Sequence, residues 1–249
     1  MDTPTEPNDF IYGIHPILEA LKQGKELDKI LIQKGLSNVV FREVQQLLQE
    51  TQTPYQIVPL AKLNRITKKN HQGLIAFTAE ISYHSAENLL PTVFEKGLNP
   101  LILVLDRVTD VRNFGAIART AECCGVNFMV IPSRGNARIT ADAIKTSSGA
   151  LHRIPVCRED NLKKTLQYLK HSGLKLVACH EKSDRSIFAE DLKVPTAILM
   201  GSEEDGISSE YLKLCDSNMA IPLMGAMQSL NVSVAAGIAL FETVRQRNS

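Results

Sequence analysis

Ser229 and Asn231 stand at the mouth of an otherwise apolar run, IPLMGAMQSLNVSVAAGIALFE (221–242), where folding asks for nothing beyond a helix cap. A cap satisfies the first free N–H groups of a helix, and a loop carrying Pro222 and Gly225 can aim those same groups at a ligand. Two other segments gather groups of comparable interest. DRVTDVRNFGAIARTAECCGV (106–126) places Asn113 before a helix start and Arg119 within that helix's second turn. GSEEDGIS (201–208) is a tight acidic turn whose Glu203, Glu204 and Asp205 could pair with Arg119 or hold a cationic or hydroxyl-bearing ligand. Taken singly, Asn113 reads as a cap, Arg119 as a surface cation and Ser229 or Asn231 as the cap of a core helix.

Several familiar chemistries are excluded by detail. The turn in 106–126 has a single glycine, Gly115, and lacks GxGxxG, which weakens a nicotinamide-dependent oxidoreductase. The acidic turn would repel phosphate, is followed by no GK[ST], and lacks the alternating ligands of a calcium loop. The five cysteines (Cys123, Cys124, Cys157, Cys179, Cys215) contain no CxxC pair and no accompanying His spacing, so neither disulfides nor a metal site is expected. MDTPTEPNDF has no basic or apolar leader character, and no apolar run approaches the ~20 residues of a membrane helix. A reducing cytoplasm is the expected location. Lys plus Arg is 28 against 27 for Asp plus Glu, so a nucleic-acid surface must be a local patch. Aromatics at 5% with no Trp argue against recognition mainly by base stacking.

The elements that would position these groups follow from periodicity. Continuous apolar runs at 101–106, 127–131, 174–178, 196–200 and 218–221 read as buried strands, separated by helices at 114–124, about 160–171, about 208–215 and 230–244. That pattern predicts a mainly parallel α/β domain over 100–249, with ligands at the carboxyl ends of its strands. Upstream, a helix at 16–21, strands at 28–33, 55–60 and 73–79, and a helix at 37–50 capped by Ser37 predict a small α/β module over 10–80. Residues 1–9 read as a flexible tail and 81–99, with Pro91 and Gly97, as a linker. Between the second and third strands of the small module, Lys62, Arg65, Lys68, Lys69 and His71 form its best RNA-facing patch, with His71 also readable as a satisfied structural histidine. Arg134, Arg138, Lys145, Arg153 and Arg158 form a second basic series, and TSSGA (146–150) reads equally as cofactor lining or as a helix-ending turn at Gly149.

DRVTDVRNFGAIARTAECCGV, ILMGSEEDGIS and IPLMGAMQSLNVSVAAGIALFE, in this order and spacing, resemble the three motifs of the SpoU/TrmH family of RNA ribose 2′-O-methyltransferases, over residues 101–246. YGIHPILEAL (12–21) and HQGLIA (71–76) look like the substrate-binding domain of the branch that methylates a guanosine of 23S ribosomal RNA. The resemblance implies a ribosomal-protein L30e-like N-terminal domain and a parallel α/β domain ending in a trefoil knot. It further implies S-adenosylmethionine bound in the knot and a homodimer through the knot helices. It assigns catalysis to Asn113, Arg119, Glu203, Ser229 and Asn231, and the cofactor cradle to Met200, Gly201, Ile221, Met224 and Leu230. Two departures bear on loop shape and RNA choice: Asp110 is followed by Val111 where the family usually has proline, and Glu204 and Asp205 stand where small residues are frequent. A tRNA methyltransferase and a non-catalytic RNA-binding or ribosome-assembly factor on the same fold remain the competing expectations.

Overall fold

The computed structural model describes residues 10–37, 39–51, 53–202 and 204–249. The expected tail, 1–9, and Glu203 of the acidic turn lie outside the described residues. The chain divides into two units at Glu80/Ile81.

The first unit runs β1 (Phe10–Tyr12), α1 (Ile14–Lys22), β2 (Leu27–Gln33), α2 (Val39–Glu50), β3 (Tyr55–Val58), α3 (Leu60–Ile66) and β4 (Leu74–Thr78). Its sheet has the order β1-β4-β2-β3, with β2 and β3 parallel across the α2 crossover and β4 antiparallel to both its neighbours. One face is buried by α1 and α2 through Ile14, Ile17, Leu18, Leu21, Val44 and Leu48. On the other face Leu63 of α3 packs against Leu31, Val58 and Ile75. The two helices and three strands expected here are present with ends shifted by a few residues. β1 escaped notice because three residues carry too little alternation to register. α3 escaped because its polar surface hid one apolar face, Leu63 and Ile66.

The second unit runs β5 (Tyr83–His84), α4 (Ala86–Glu95), β6 (Leu101–Leu105), α5 (Val111–Cys123), β7 (Phe128–Pro132), α6 (Ala141–Thr146), β8 (Val156–Glu159), α7 (Leu162–His171), β9 (Lys175–Cys179), β10 (Thr196–Met200), α8 (Ser209–Leu212), β11 (Ser217–Met219) and α9 (Val232–Arg247). Every strand pair in its sheet is parallel, in the order β11-β9-β10-β6-β7-β8-β5. Both faces are covered, which is why the strands read as unbroken apolar runs: α5, α6 and α9 on one side, α4 and α7 on the other. Residues 81–99, expected as a linker, contain β5 and α4; Tyr83 pairs with Val156 and Ala86, Leu90 and Val93 are buried. Strand β8 had no counterpart among the expected elements, since VCRE is short and half polar.

From β6 the chain winds outward through β7 and β8, whereas β10 lies on the other side of β6. The strand order therefore reverses between β6 and β10, and the loops leaving their carboxyl ends must part there, opening a crevice. α9 closes the fold from behind. Arg247 donates to the carbonyls of Asn99, Pro100, Leu192 and Val194 at 2.7–3.0 Å, fixing the end of the helix beneath the start of β6 and β10. The apolar character of α9 on all sides implied burial on all sides, but the chain alone buries only Val232, Ala236, Ala239, Leu240 and Thr243 among its apolar and small residues. Val234 and Phe241 remain 50% and 57% exposed.

Candidate active site

The crevice between β6 and β10 is floored by an ion pair. Asp106, at the end of β6, is 2% exposed, and its own N–H donates to Met200 O at 2.8 Å, continuing the ladder between the strands. Its carboxylate accepts from Arg107 Nε at 3.0 Å, Arg107 Nη2 at 3.3 Å and Ser208 N at 2.9 Å. The loop after β10 then folds back on itself, with Ser202 and Gly206 exchanging main-chain hydrogen bonds at 3.1 Å. A Cβ built on Gly201 would lie 2.2–2.5 Å from the main chain of Gly206 and Ile207, so only glycine fits. Between this loop and the one after β6 is a cleft of about 180 Å³ lined by Arg107, Val108, Thr109, Asp110, Ser202 and Asp205 among others. The acidic turn does find an arginine, but it is Arg107: Nη1 lies 3.1 Å from Asp205 Oδ2, and among the described residues Arg119 makes no ion pair.

α5 begins at Val111, three residues earlier than expected, and its cap is Asp110, whose Oδ1 accepts from Asn113 N at 2.7 Å. Asn113 is thereby relieved of capping. Its Oδ1 accepts instead from Asn231 Nδ2 at 3.1 Å, across 118 residues of sequence. Asn231 is the cap of α9, its Oδ1 accepting from Ser233 N at 2.9 Å. One amide thus uses its oxygen to start a helix and its nitrogen to join that helix to another. The amino ends of α5 and α9 converge at this pair, each carrying about half a positive charge. Gly115, expected in a turn, lies inside α5 where that helix crosses α6; a Cβ there would come within 2.8 Å of Ala143 O and Thr146 Cβ. TSSGA accordingly ends α6, with Gly149 in the left-handed region and the Ser147 hydroxyl bound to Ile144 O.

Arg119 is exposed, on a face of α5 turned about 120° from Asn113 and about 9 Å further along the axis. The structure therefore brings Asn113 and Asn231 together within one chain and leaves Arg119 apart. Ser229 is exposed on the loop before α9. Of the residues expected to cradle a cofactor, Met200 and Gly201 are buried, Ile221 is half-buried, and Met224 and Leu230 are 98% and 38% exposed. Among the described residues, no main-chain N–H of 223–230 donates to another protein group. Unclaimed main-chain donors beside exposed apolar side chains fit an adenosine- and methionine-bearing ligand, which needs apolar walls and a few directional polar contacts.

Burial pushes the thiols of Cys124 and Cys179 up to about 11, that of Cys215 to about 12 and that of Cys157 higher still. Among the described residues no group of three His, Cys, Asp or Glu side chains could hold a metal, and no helix is long and apolar enough to cross a membrane. The arrangement is suited to aligning reactants and stabilising developing negative charge.

In the first unit Lys62, Arg65, Lys68 and Lys69 are exposed on α3 and the loop after it, and Lys69 Nζ lies 5.7 Å from the Tyr12 ring centre. His71 differs from them. It is 6% exposed, its Nδ1 accepts from Gly73 N at 3.0 Å and its Nε2 lies 3.0 Å from Asn64 Oδ1. With both nitrogens committed inside the unit, His71 shapes the loop rather than presenting an edge to RNA. Two members of the second basic series are also engaged: Arg158 stacks 3.9 Å over the Tyr83 ring and Arg153 lies 3.8 Å from Glu122. The Asp106–Arg107 pair was the part of the site that sequence did not single out. Its one signal was the acid ending an apolar strand.

Comparison with known proteins identifies both units. Residues 100–241 match the SpoU rRNA Methylase family, and residues 10–84 match the RNA 2′-O ribose methyltransferase substrate-binding family. An uncharacterized tRNA/rRNA methyltransferase of Synechocystis is 37% identical over 97% of this chain, which spans 64% of that relative's length. The 23S rRNA (guanosine-2′-O-)-methyltransferase RlmB of Vibrio vulnificus is 36% identical over 96% of this chain and 98% of its own. The putative TrmH family tRNA/rRNA methyltransferase YacO of Bacillus subtilis is 32% identical over 98% of both. Among solved structures, AviRb of Streptomyces viridochromogenes in complex with AdoMet shares the fold, with a TM-score of 0.61 at 24% identity over 96% of this chain and 90% of that one. The matched families cover both units, and a relative of named activity is 36% identical over nearly the whole of both chains, so the chain belongs to the SpoU/TrmH family of RNA 2′-O-methyltransferases.

Proposed function

We propose that the chain transfers a methyl group from S-adenosylmethionine to the ribose 2′-hydroxyl of a guanosine in 23S ribosomal RNA, working in the cytoplasm as a homodimer. The observation that carries this reading is the 3.1 Å contact between Asn113 and Asn231, which unites two motifs and two helix amino ends at the strand-order reversal. The Vibrio relative's named activity supports the 23S guanosine. The Bacillus relative is named for tRNA or rRNA, which makes transfer RNA the competing substrate.

S-adenosylmethionine would be held by the main chain and apolar side chains of Met200, Gly201, Ile221, Met224 and Leu230, and would supply an electrophilic methyl group. The protein's own task is to hold the ribose 2′-oxygen in line with that methyl group. Asn113 and Asn231 orient the ribose, and the amino ends of α5 and α9 favour the charge that grows on its oxygen. The hydroxyl proton passes to phosphate or solvent, since a guanidinium has no free lone pair to offer and is a poor base. Arg119 grips the neighbouring phosphate. Its position away from Asn113 suits a site completed by a second copy. Val234 and Phe241, seven residues apart on one stripe of α9 and both exposed, supply the apolar surface for that contact. The same reading gives Glu203 and Ser229 supporting roles in the pocket and threads the C-terminal segment as a trefoil knot.

Ribose-methylation mapping of total RNA from cells with and without the gene tests activity and target together. A lost methyl on a 23S guanosine is expected; loss from tRNA instead overturns the ribosomal assignment. Arg119→Lys keeps the charge but not the planar fork, and about 10²-fold slower turnover is expected. Near-wild-type turnover would mean that the fork is dispensable. Replacing Lys68 and Lys69 by alanine is expected to weaken RNA binding and to flatten its salt dependence by a log–log slope of about 0.7 per lost phosphate contact. Titration of RNA at several salt concentrations checks this, and an unchanged slope removes the basic loop from the RNA surface.

A further inference from the structure

Arg107 adopts φ +62°, a left-handed conformation that a non-glycine residue holds only when its surroundings repay the strain. The repayment is visible in its side chain. One guanidinium reaches both oxygens of buried Asp106, the exposed carboxylate of Asp205 at 3.1 Å and the carbonyl of Gly206 at 3.4 Å. Asp106 in turn holds Ser208 N, while its N–H holds Met200 O. The loop after β10 is therefore gripped before its start, at 205–206 and at 208, all through this one pair. That loop has little freedom of its own to settle elsewhere, since Gly201 is pressed against the main chain of Gly206 and Ile207. The transfer chemistry proposed for Asn113 and Asn231 does not use Arg107.

We infer that Arg107 is a positioning residue for cofactor binding: its fork, anchored on Asp106, sets the main-chain shape of the loop after β10 at Gly201 and at 205–207, which S-adenosylmethionine meets. This rests on the reading of that loop as part of the cofactor cradle. The planar fork is needed because four acceptor contacts in different directions must be met at once, which a lysine ammonium on a flexible stem does not reproduce. Glycine at the same position would relax the backbone and remove the fork, separating the two contributions.

The test is calorimetric titration of S-adenosylmethionine into the full-length wild-type chain and into R107A, R107G and R107K, with melting temperatures recorded for each. R107A and R107G are expected to bind about 10- to 100-fold more weakly, as for loss of a charged hydrogen-bond donor, and R107K to fall between them and wild type. In methylation assays the KM for S-adenosylmethionine should rise by the same factor, while kcat at saturating cofactor falls less. R107G binding as tightly as wild type would overturn the inference, since only the backbone conformation would then matter. A uniform loss of kcat with unchanged cofactor affinity would also overturn it. Failure of the wild-type chain to bind S-adenosylmethionine would overturn the cofactor reading itself, and this inference with it.

Discussion

Asn231→Asp is expected to leave α9 intact and to cut methyl transfer by about 10²- to 10³-fold, the scale of losing one donor that organises a developing oxyanion. The substitution keeps the oxygen that accepts from Ser233 N, and an Asp caps a helix as well as an Asn does. It removes the Nδ2 that donates to Asn113 Oδ1 and sets a carboxylate oxygen against that carbonyl oxygen, so the two motifs repel where they now hold each other. It also places negative charge where the hydroxyl is to become an alkoxide. Asn231→Ala loses the cap as well, at a cost of about 1 kcal/mol in stability. Comparing kcat and melting temperature for the two variants separates capping from alignment. A fully active Asn231→Asp would remove the Asn113–Asn231 contact from the mechanism.

Gly201→Ala is expected to weaken S-adenosylmethionine binding by about 10²-fold, because a displacement of roughly 1 Å in a positioned group costs that much. The alanine methyl would fall 2.2–2.5 Å from the main chain of Gly206 and Ile207, and main chain cannot swing aside as a side-chain tip can. Relief must come from opening the Ser202–Gly206 bridge or from pushing Ser208 off Asp106. Overpacking of this kind costs about 1–3 kcal/mol in stability, which a protein held at low temperature can absorb while its loop remains misplaced. Titration of the cofactor alongside a thermal melt checks both quantities. Unchanged affinity would place the loop outside the cofactor site.

The two helix amino ends have a general consequence for how this site treats charge. The amino ends of α5 and α9 meet through the Asn113–Asn231 contact, and the parallel sheet brings the carboxyl ends of β6 and β10 to the same edge as the start of α5. A fixed, preorganised field of this kind favours an anion without a titrating side chain. That suits a transfer whose nucleophile is a weakly acidic hydroxyl.

Periodicity and motif order alone determined the α/β class, the parallel sheet of the second unit, and the identity of Asn113, Arg119, Ser229 and Asn231 as groups of interest. Those are local properties: a strand buried on both faces must be apolar throughout, and a helix start wants a short polar side chain. Only the tertiary structure decided which neighbour each group would have. Asp110, not Asn113, caps α5, because the helix starts three residues early and frees the asparagine for a partner 118 residues away. His71 turned inward to Gly73 and Asn64, and Arg107, unremarkable in the chain, became the tie between two loops. Residue type fixes what a side chain can bond to, but direction and burial decide what it does bond to, and those arise only when distant strands are laid side by side.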